Sequence, residues 1–192
     1  MMLLSLNSDQ MDIFRAVVNA DDYNHGKFFF FWVHGSGRTG KIYLWKAIVA
    51  TLRSKGKIIL SVGSSGIVAL LLPFDKTAHA MFKIPVNLIE ATYCSFLKHS
   101  ELANLIRQTS LIIWDKAPMS HRWVIENVDH TLSDICDKKN MPFGGKLIVF
   151  GGNFRQILPV VPRGSRANIA AAPLSRSHFW PDCHVMHLRI NM

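Results

Sequence analysis

Apolar positions along this chain change period several times, and each change marks an element. Met11, Phe14, Val17 and Val18 share one face of a helical pattern that ends near Asp21, with Ser8 expected as its N-cap. Asp22 to Gly26 reads as a turn. Phe28 to Val33 is a continuous aromatic and β-branched run, the form of a strand covered on both faces. The helical period returns over Ile42 to Arg53, with Leu44, Ala47, Ile48 and Leu52 inward, and a second buried strand follows at Lys57 to Val62. Ser64-Ser65-Gly66 then caps a short helix, Ile67 to Leu72, that Pro73 stops.

The middle, Phe74 to Lys98, loses periodicity and reads as loop with short helical pieces. Beyond it the pattern gives a helix at Glu101 to Gln108, a strand at Ser110 to Trp114, and a long amphipathic helix from Ser120 to Asp137 through Trp123, Val124, Val128 and Leu132. A polar turn at Lys138 to Gly145 leads to a strand, Lys146 to Phe150, that runs into Gly151-Gly152. A Pro-bounded segment at Pro159 and Pro162, a helix near Ser165 to Ala171 and a strand at His184 to Leu188 complete the chain. Four or five strands alternating with helices predict one doubly wound α/β domain over residues 1–192 with a mostly parallel sheet, whose ligands sit at the carboxyl ends of the strands.

The chemistry is concentrated at those ends. Between the first strand and its helix the chain reads Gly35-Ser36-Gly37-Arg38-Thr39-Gly40-Lys41-Ile42. A glycine, four residues, then Gly-Lys is the spacing of a phosphate-binding loop, whose backbone N–H groups surround phosphate oxygens while the lysine reaches the terminal phosphates. A Ser or Thr normally follows that lysine and binds magnesium; Ile42 has no oxygen to offer. Leu111 to Asp115 is an apolar strand ending in an acid, the form of the second nucleotide motif, whose carboxylate holds magnesium.

Composition adds less. Hydrophobic residues make up 49% of the 192, enough for one substantial core, and Lys plus Arg exceed Asp plus Glu by 22 to 13, a net charge of +9. That excess fits a polyanionic partner or a solvated basic surface equally. It is diffuse, and Lys83, Arg155 and Arg163 are the cations nearest the motif segments. Cys94, Cys136 and Cys183 are odd in number and far apart, so no disulfide framework or cysteine zinc site is indicated and a reducing compartment is expected. No apolar run reaches the roughly 18 to 20 residues of a membrane span, and Met1 to Leu6 is too short for a secretory signal. His184 and His187 would point to opposite faces of a strand, against a metal site. Trp32, Trp114, Trp123 and Trp180 read as core, and Trp45 as a contact with a neighbouring helix.

The order and wording of these segments resemble the petite-integration-frequency family of superfamily-one DNA helicases, above all the helicase portion of Helitron-type transposons. The resemblance covers Leu6 to Met192 and implies a RecA-like P-loop NTPase fold. Leu6-Asn7-x-Asp9-Gln10 is similar to the family's entry motif, in which Gln10 would meet adenine. Gly35 to Ile42 would hold ATP, and Asp115 magnesium. Ser64, Ser65 and Gly66, then Thr77 and His79, then Phe82 and Lys83, resemble segments that contact single-stranded DNA, though Phe82 could equally fill the core. Leu111 to Met119 resembles the second nucleotide motif and Gly151 to Pro159 the third, where Gln156 would sense the terminal phosphate. The resemblance implies Lys41, Asp115 and Gln156 as the catalytic set, and a monomer working in DNA repair, recombination and telomere maintenance, in the nucleus or alternatively the mitochondrion.

Departures from the family pattern cluster at the chemistry. Ile42 replaces Thr, Asp115-Lys116 replaces Asp-Glu, and Gly151-Gly152-Asn153 replaces Gly-Gly-Asp. Relatives also continue past an Asn-Met-Arg word into a second motor domain with an arginine finger, whereas this sequence ends at Asn191-Met192, so a single motor domain is expected. Two readings follow. One is the ATP-binding motor domain of a DNA helicase; the other is an inactive remnant acting at most as a nucleotide- or DNA-binding module.

Overall fold

The structure is a computed structural model, and it describes residues 5–22, 30–72, 76–86, 92–155, 159, 161 and 164–191. Its centre is a six-stranded sheet in the order β3-β2-β4-β5-β1-β6, every neighbouring pair parallel. The strands are β1 Phe30–Gly35, β2 Ile58–Gly63, β3 Lys76–Thr77, β4 Thr109–Asp115, β5 Leu147–Gly152 and β6 Cys183–Leu188. The sixth strand beyond the expected four or five is β3: two polar residues carry no period, and their pairing with Val62 and Gly63 depends on β2 alone.

The continuous apolar run of β1 is divided by the two-residue period of a strand. Phe30 and Trp32 face one core with Trp114, Phe150 and Phe143, whereas Phe31 and Val33 face the other with Trp45, Ile48 and Val149. Helices α1 (Ser8–Asp22) and α2 (Lys41–Ser54) cover the second face. The first face is covered by α4 (Ala78–Phe82), α5 (Glu101–Gln108) and α6 (Arg122–Ile135). The short helices α3 (Gly66–Ala69) and α7 (Arg166–Ala171) lie on the connections.

Several boundaries move for local reasons. Helix α1 is capped by Asn7 rather than Ser8: Asn7 Oδ1 accepts from Gln10 N (3.0 Å) while Gln10 Oε1 accepts from Asn7 N (3.1 Å), a reciprocal capping box. Helix α6 starts at Arg122 because His121 is its cap, its ring accepting from Trp123 N, and Ser120 is held outside by its bond to Ser64. The polar turn at 138–145 contains a buried ring, Phe143, whose N–H is bound by the Asp129 carboxylate. Trp45, expected as a contact with a neighbouring helix, is wholly buried in the core that α1 and α2 share. The three cysteines are free thiols, and among the described residues no helix is long and apolar enough to cross a membrane.

Candidate nucleotide site

The turn that leaves β1 is built to close on itself. Gly40 sits at +72°, a left-handed conformation, and Leu44 N donates to its carbonyl to start α2. Gly35 is required by proximity, since a Cβ there would lie 2.6 Å from Thr39 Oγ1. Thr39 is buried and donates its hydroxyl to Ser36 O at 2.9 Å. Lys41 Nζ donates to Gly35 O (2.6 Å) and Ser36 O (2.9 Å), arching over the turn it terminates. Gln10, fully buried, donates Nε2–H to Thr39 O at 3.1 Å and so braces the loop from α1.

A hollow of about 310 Å³ opens over this loop, with Val68, Leu71, Asp115 and Lys116 as its other walls. The sheet order explains why Asp115 reaches it. Strand β5 lies between β1 and β4, and its residue level with Asp115 is Gly151. A Cβ on Gly151 would stand 2.7 Å from Asp115 Oδ1 and 2.7 Å from Trp45 Cζ2, so the missing side chain makes room for both. Trp45 Nε1–H donates to Asp115 Oδ1 at 3.1 Å, orienting the carboxylate from α2. Nothing in the apolar spacing of α2 distinguished this tryptophan from its neighbours in the core.

The electrostatics favour an anion. Burial pushes the Asp115 carboxyl above its usual range, with the Trp45 bond and then Lys41 opposing. Burial lowers the Lys41 ammonium, Asp115 raises it and Lys116 lowers it again. Arg38, Lys41 and Lys116 thus share the hollow with a single carboxylate. His34, half-buried one residue before the loop, is lowered by burial and then by His187, Arg155 and Lys41; its ring lies 5.3 Å from that of His187. His184 is on the opposite face of β6, stacked on Phe31.

These residues do not fit a protein-held magnesium. Ile42 presents hydrocarbon and packs against the α1–α2 core, and Asp115 is the single carboxylate lining the hollow. Lys116 stands at the rim where a second acid would be needed, and no group of three His, Cys, Asp or Glu suited to a metal exists among the described residues. Asn153 Oδ1 is occupied with Arg155 N at 2.8 Å.

The other site residues divide. Ser64 accepts from Trp114 Nε1 (3.0 Å), bonds Ser120 Oγ (3.1 Å) and donates its backbone N–H to Asp115 O, so it is tied to the acid-bearing strand end. Thr77 caps α4 through Ala80 N. Ser65 is half-buried, while Gly66, His79 and Lys83 face solvent. Phe82 resolves to the core: it is fully buried and stacked on Trp114 at 5.9 Å, which withdraws its ring from any base. Gln156 and Arg163 lie outside the described residues.

Comparison with known proteins agrees with this architecture. The model of the family described as PIF1-like helicase matches residues 5–192. The chain is 27% identical over 150 residues to the ATP-dependent DNA helicase Pif1 of Psychrobacter sp. (strain PRwf-1), covering 77% of this chain and 22% of the relative. With the same helicase of Campylobacter jejuni it shares 24% over 169 residues, 83% of this chain and 36% of the relative. It therefore spans about a fifth to a third of those relatives. Among solved structures, the Bacteroides Pif1 helicase in complex with ADP-AlF3 and ssDNA superposes with a TM-score of 0.79 at 20% identity, over 97% of this chain and 42% of that one. The Pif1 helicase of Candida albicans gives 0.76 at 20%, over 97% and 40%. A RecA-like parallel sheet with a phosphate loop after its first strand, together with a family match over almost the whole sequence, establishes that the chain belongs to the PIF1-like helicase family.

Proposed function

We propose that this chain is the ATP-binding motor domain of a Pif1-like DNA helicase, with the triphosphate seated at the amino end of α2 and single-stranded DNA on the edge formed by Ser65, Gly66, His79 and Lys83. The observation that carries it is one hollow bringing together the glycine loop, Lys41 and Asp115. Lys41 would exchange its present carbonyl partners for phosphate oxygens, a gain because an anionic acceptor replaces a neutral one, and the loop amides would add to it. Gln10, bonded to Thr39 O beneath the loop, would transmit adenine binding to it. The nucleus is the compartment this reading favours.

A second reading concerns turnover, and Lys116 and Ile42 favour it: the domain holds ATP but hydrolyses it no faster than background. Removing a group that positions the attacking water costs roughly 10² to 10⁴ in rate, and Lys116 places a cation where relatives carry an acid. Titration with a fluorescent ATP analogue tests the first reading. Binding should weaken at least about tenfold in Lys41→Ala, about 1.4 kcal/mol, and should change little when magnesium is chelated. Equal affinity in Lys41→Ala would overturn it. DNA-stimulated phosphate release that vanishes in Lys41→Ala would overturn the second reading and leave the first intact.

A further inference from the structure

A second hollow, of about 500 Å³, opens at the pole opposite the nucleotide site, at the amino ends of the strands. Lys57 immediately precedes β2, Thr109 and Ser110 begin β4, and Lys146 immediately precedes β5; the carboxyl end of α5 supplies Arg107 and the turn after α6 supplies Lys138. Two of the cations, Arg107 and Lys146, are held there by neutral groups. Arg107 donates Nε–H to Ile135 O (3.0 Å) and its two terminal nitrogens to Asn104 Oδ1 (2.8 Å) and Lys98 O (2.6 Å). Lys146 Nζ donates to Arg107 O (2.5 Å) and Thr109 O (2.9 Å).

Capping helix ends accounts for part of this charge. Each helix carboxyl end carries roughly half a negative charge, so α5 and α6 together offset about one cation. Four cations line the hollow. The acid in its lining, Asp137, is paired with Lys98 at 2.5 Å, outside that lining. Arg107 and Lys146 are thus held by acceptors that cannot neutralise them, and donor capacity remains: a guanidinium has five N–H groups and an ammonium three. The same field reaches Cys136, whose thiol is raised by burial, lowered by Lys146, Lys138 and Arg107 in that order, and raised last by Asp137.

We propose that this hollow is a second anion site, separate from the nucleotide cradle, that takes a compact, multiply charged phosphate of pyrophosphate or tripolyphosphate size. The volume lies in the range of small-ligand sites. A nucleic-acid strand is a poorer occupant, because none of the lining residues is aromatic and the cations converge on one recess instead of forming a track. The inference does not depend on the nucleotide reading.

Cys136 lines the hollow and reports its occupancy. In the full chain carrying Cys183→Ser, with Cys94 buried, an anionic methanethiosulfonate should modify Cys136 about tenfold faster than its cationic counterpart, as expected where convergent cations raise the local anion concentration. Tripolyphosphate should slow the anionic reagent saturably at constant ionic strength. That protection should survive Lys41→Ala, disappear in Lys138→Ala and return in Lys138→Arg. Slowing by chloride to the same extent would reduce the effect to screening and overturn the site. Loss of protection in Lys41→Ala would assign it to the nucleotide cradle. Protection by a thymidine oligonucleotide but not by tripolyphosphate would replace the compact ligand with a strand and equally overturn the proposal.

Discussion

Arg38 and Asp115 show what single residues cost at the candidate nucleotide site. Arg38 sits at +67°, a left-handed conformation that penalises any side chain with a Cβ, within a loop whose other turning residue is glycine. Arg38→Gly should stabilise the fold by about 1 kcal/mol, the strain relieved less the extra freedom of glycine in the unfolded chain; urea denaturation measures it, and a loss of stability would show that the guanidinium is worth more than the strain. Asp115 is held above its ordinary value of 3.8 by burial. The folded state then binds the proton more tightly than the unfolded one, so this group's contribution is complete below the unfolded value and declines as pH rises through the folded value. Asp115→Asn keeps an acceptor for Trp45 without the charge. Its stability relative to the parent should therefore rise as pH increases from the unfolded value through the folded one. A difference that does not change over that range would mean that Lys41, Lys116 and Trp45 already offset the burial.

Elements carry the next layer, and β5 carries most of it. Gly151 leaves room at the level of the site, because Asp115 and Trp45 occupy the space its side chain would take. Gly151→Ala should cost about 1 to 3 kcal/mol as an overpacked core position and weaken nucleotide binding with it; thermal unfolding and the same nucleotide titration check both, and a variant with unaltered binding would detach Asp115 from the site. The sequence made this strand legible, since Leu147 to Phe150 is apolar and Gly151-Gly152 stands out, but not the reason for its glycines. That reason is a meeting of three elements distant in sequence. The same holds for Phe143 within a turn that reads as polar, and for β3, which exists because β2 has an edge to pair. Local period predicted α2 and α5 almost to the residue, where amphipathic helices answer to their own spacing.

At the scale of the whole molecule, strand-helix-strand alternation forced a parallel sheet, but the order β3-β2-β4-β5-β1-β6 was not legible. Order depends on which strand edges meet, and β6 illustrates it: the last strand in the chain pairs with the first, from Phe30 opposite Cys183 to Gly35 opposite Leu188. That pairing brings the two ends of the described chain together. Asp9, in the first turn of α1, accepts from Arg189 N at 2.7 Å and Ile190 N at 3.3 Å, so the helix that braces the phosphate loop through Gln10 also anchors the strand on its other side. Half of β6 is exposed and it is an edge strand, so this clamp matters more to it than an equal bond would to a central strand. Asp9→Ala should cost about 1.5 kcal/mol, the lower end for hydrogen bonds to a charged acceptor because the site is exposed. The loss should be local. Amide hydrogen exchange at Arg189, Ile190 and the β6 residues should accelerate while β4 and β5 keep their protection. Uniform acceleration across the sheet would show instead that β6 and the core open as one unit, with Asp9 contributing to global stability.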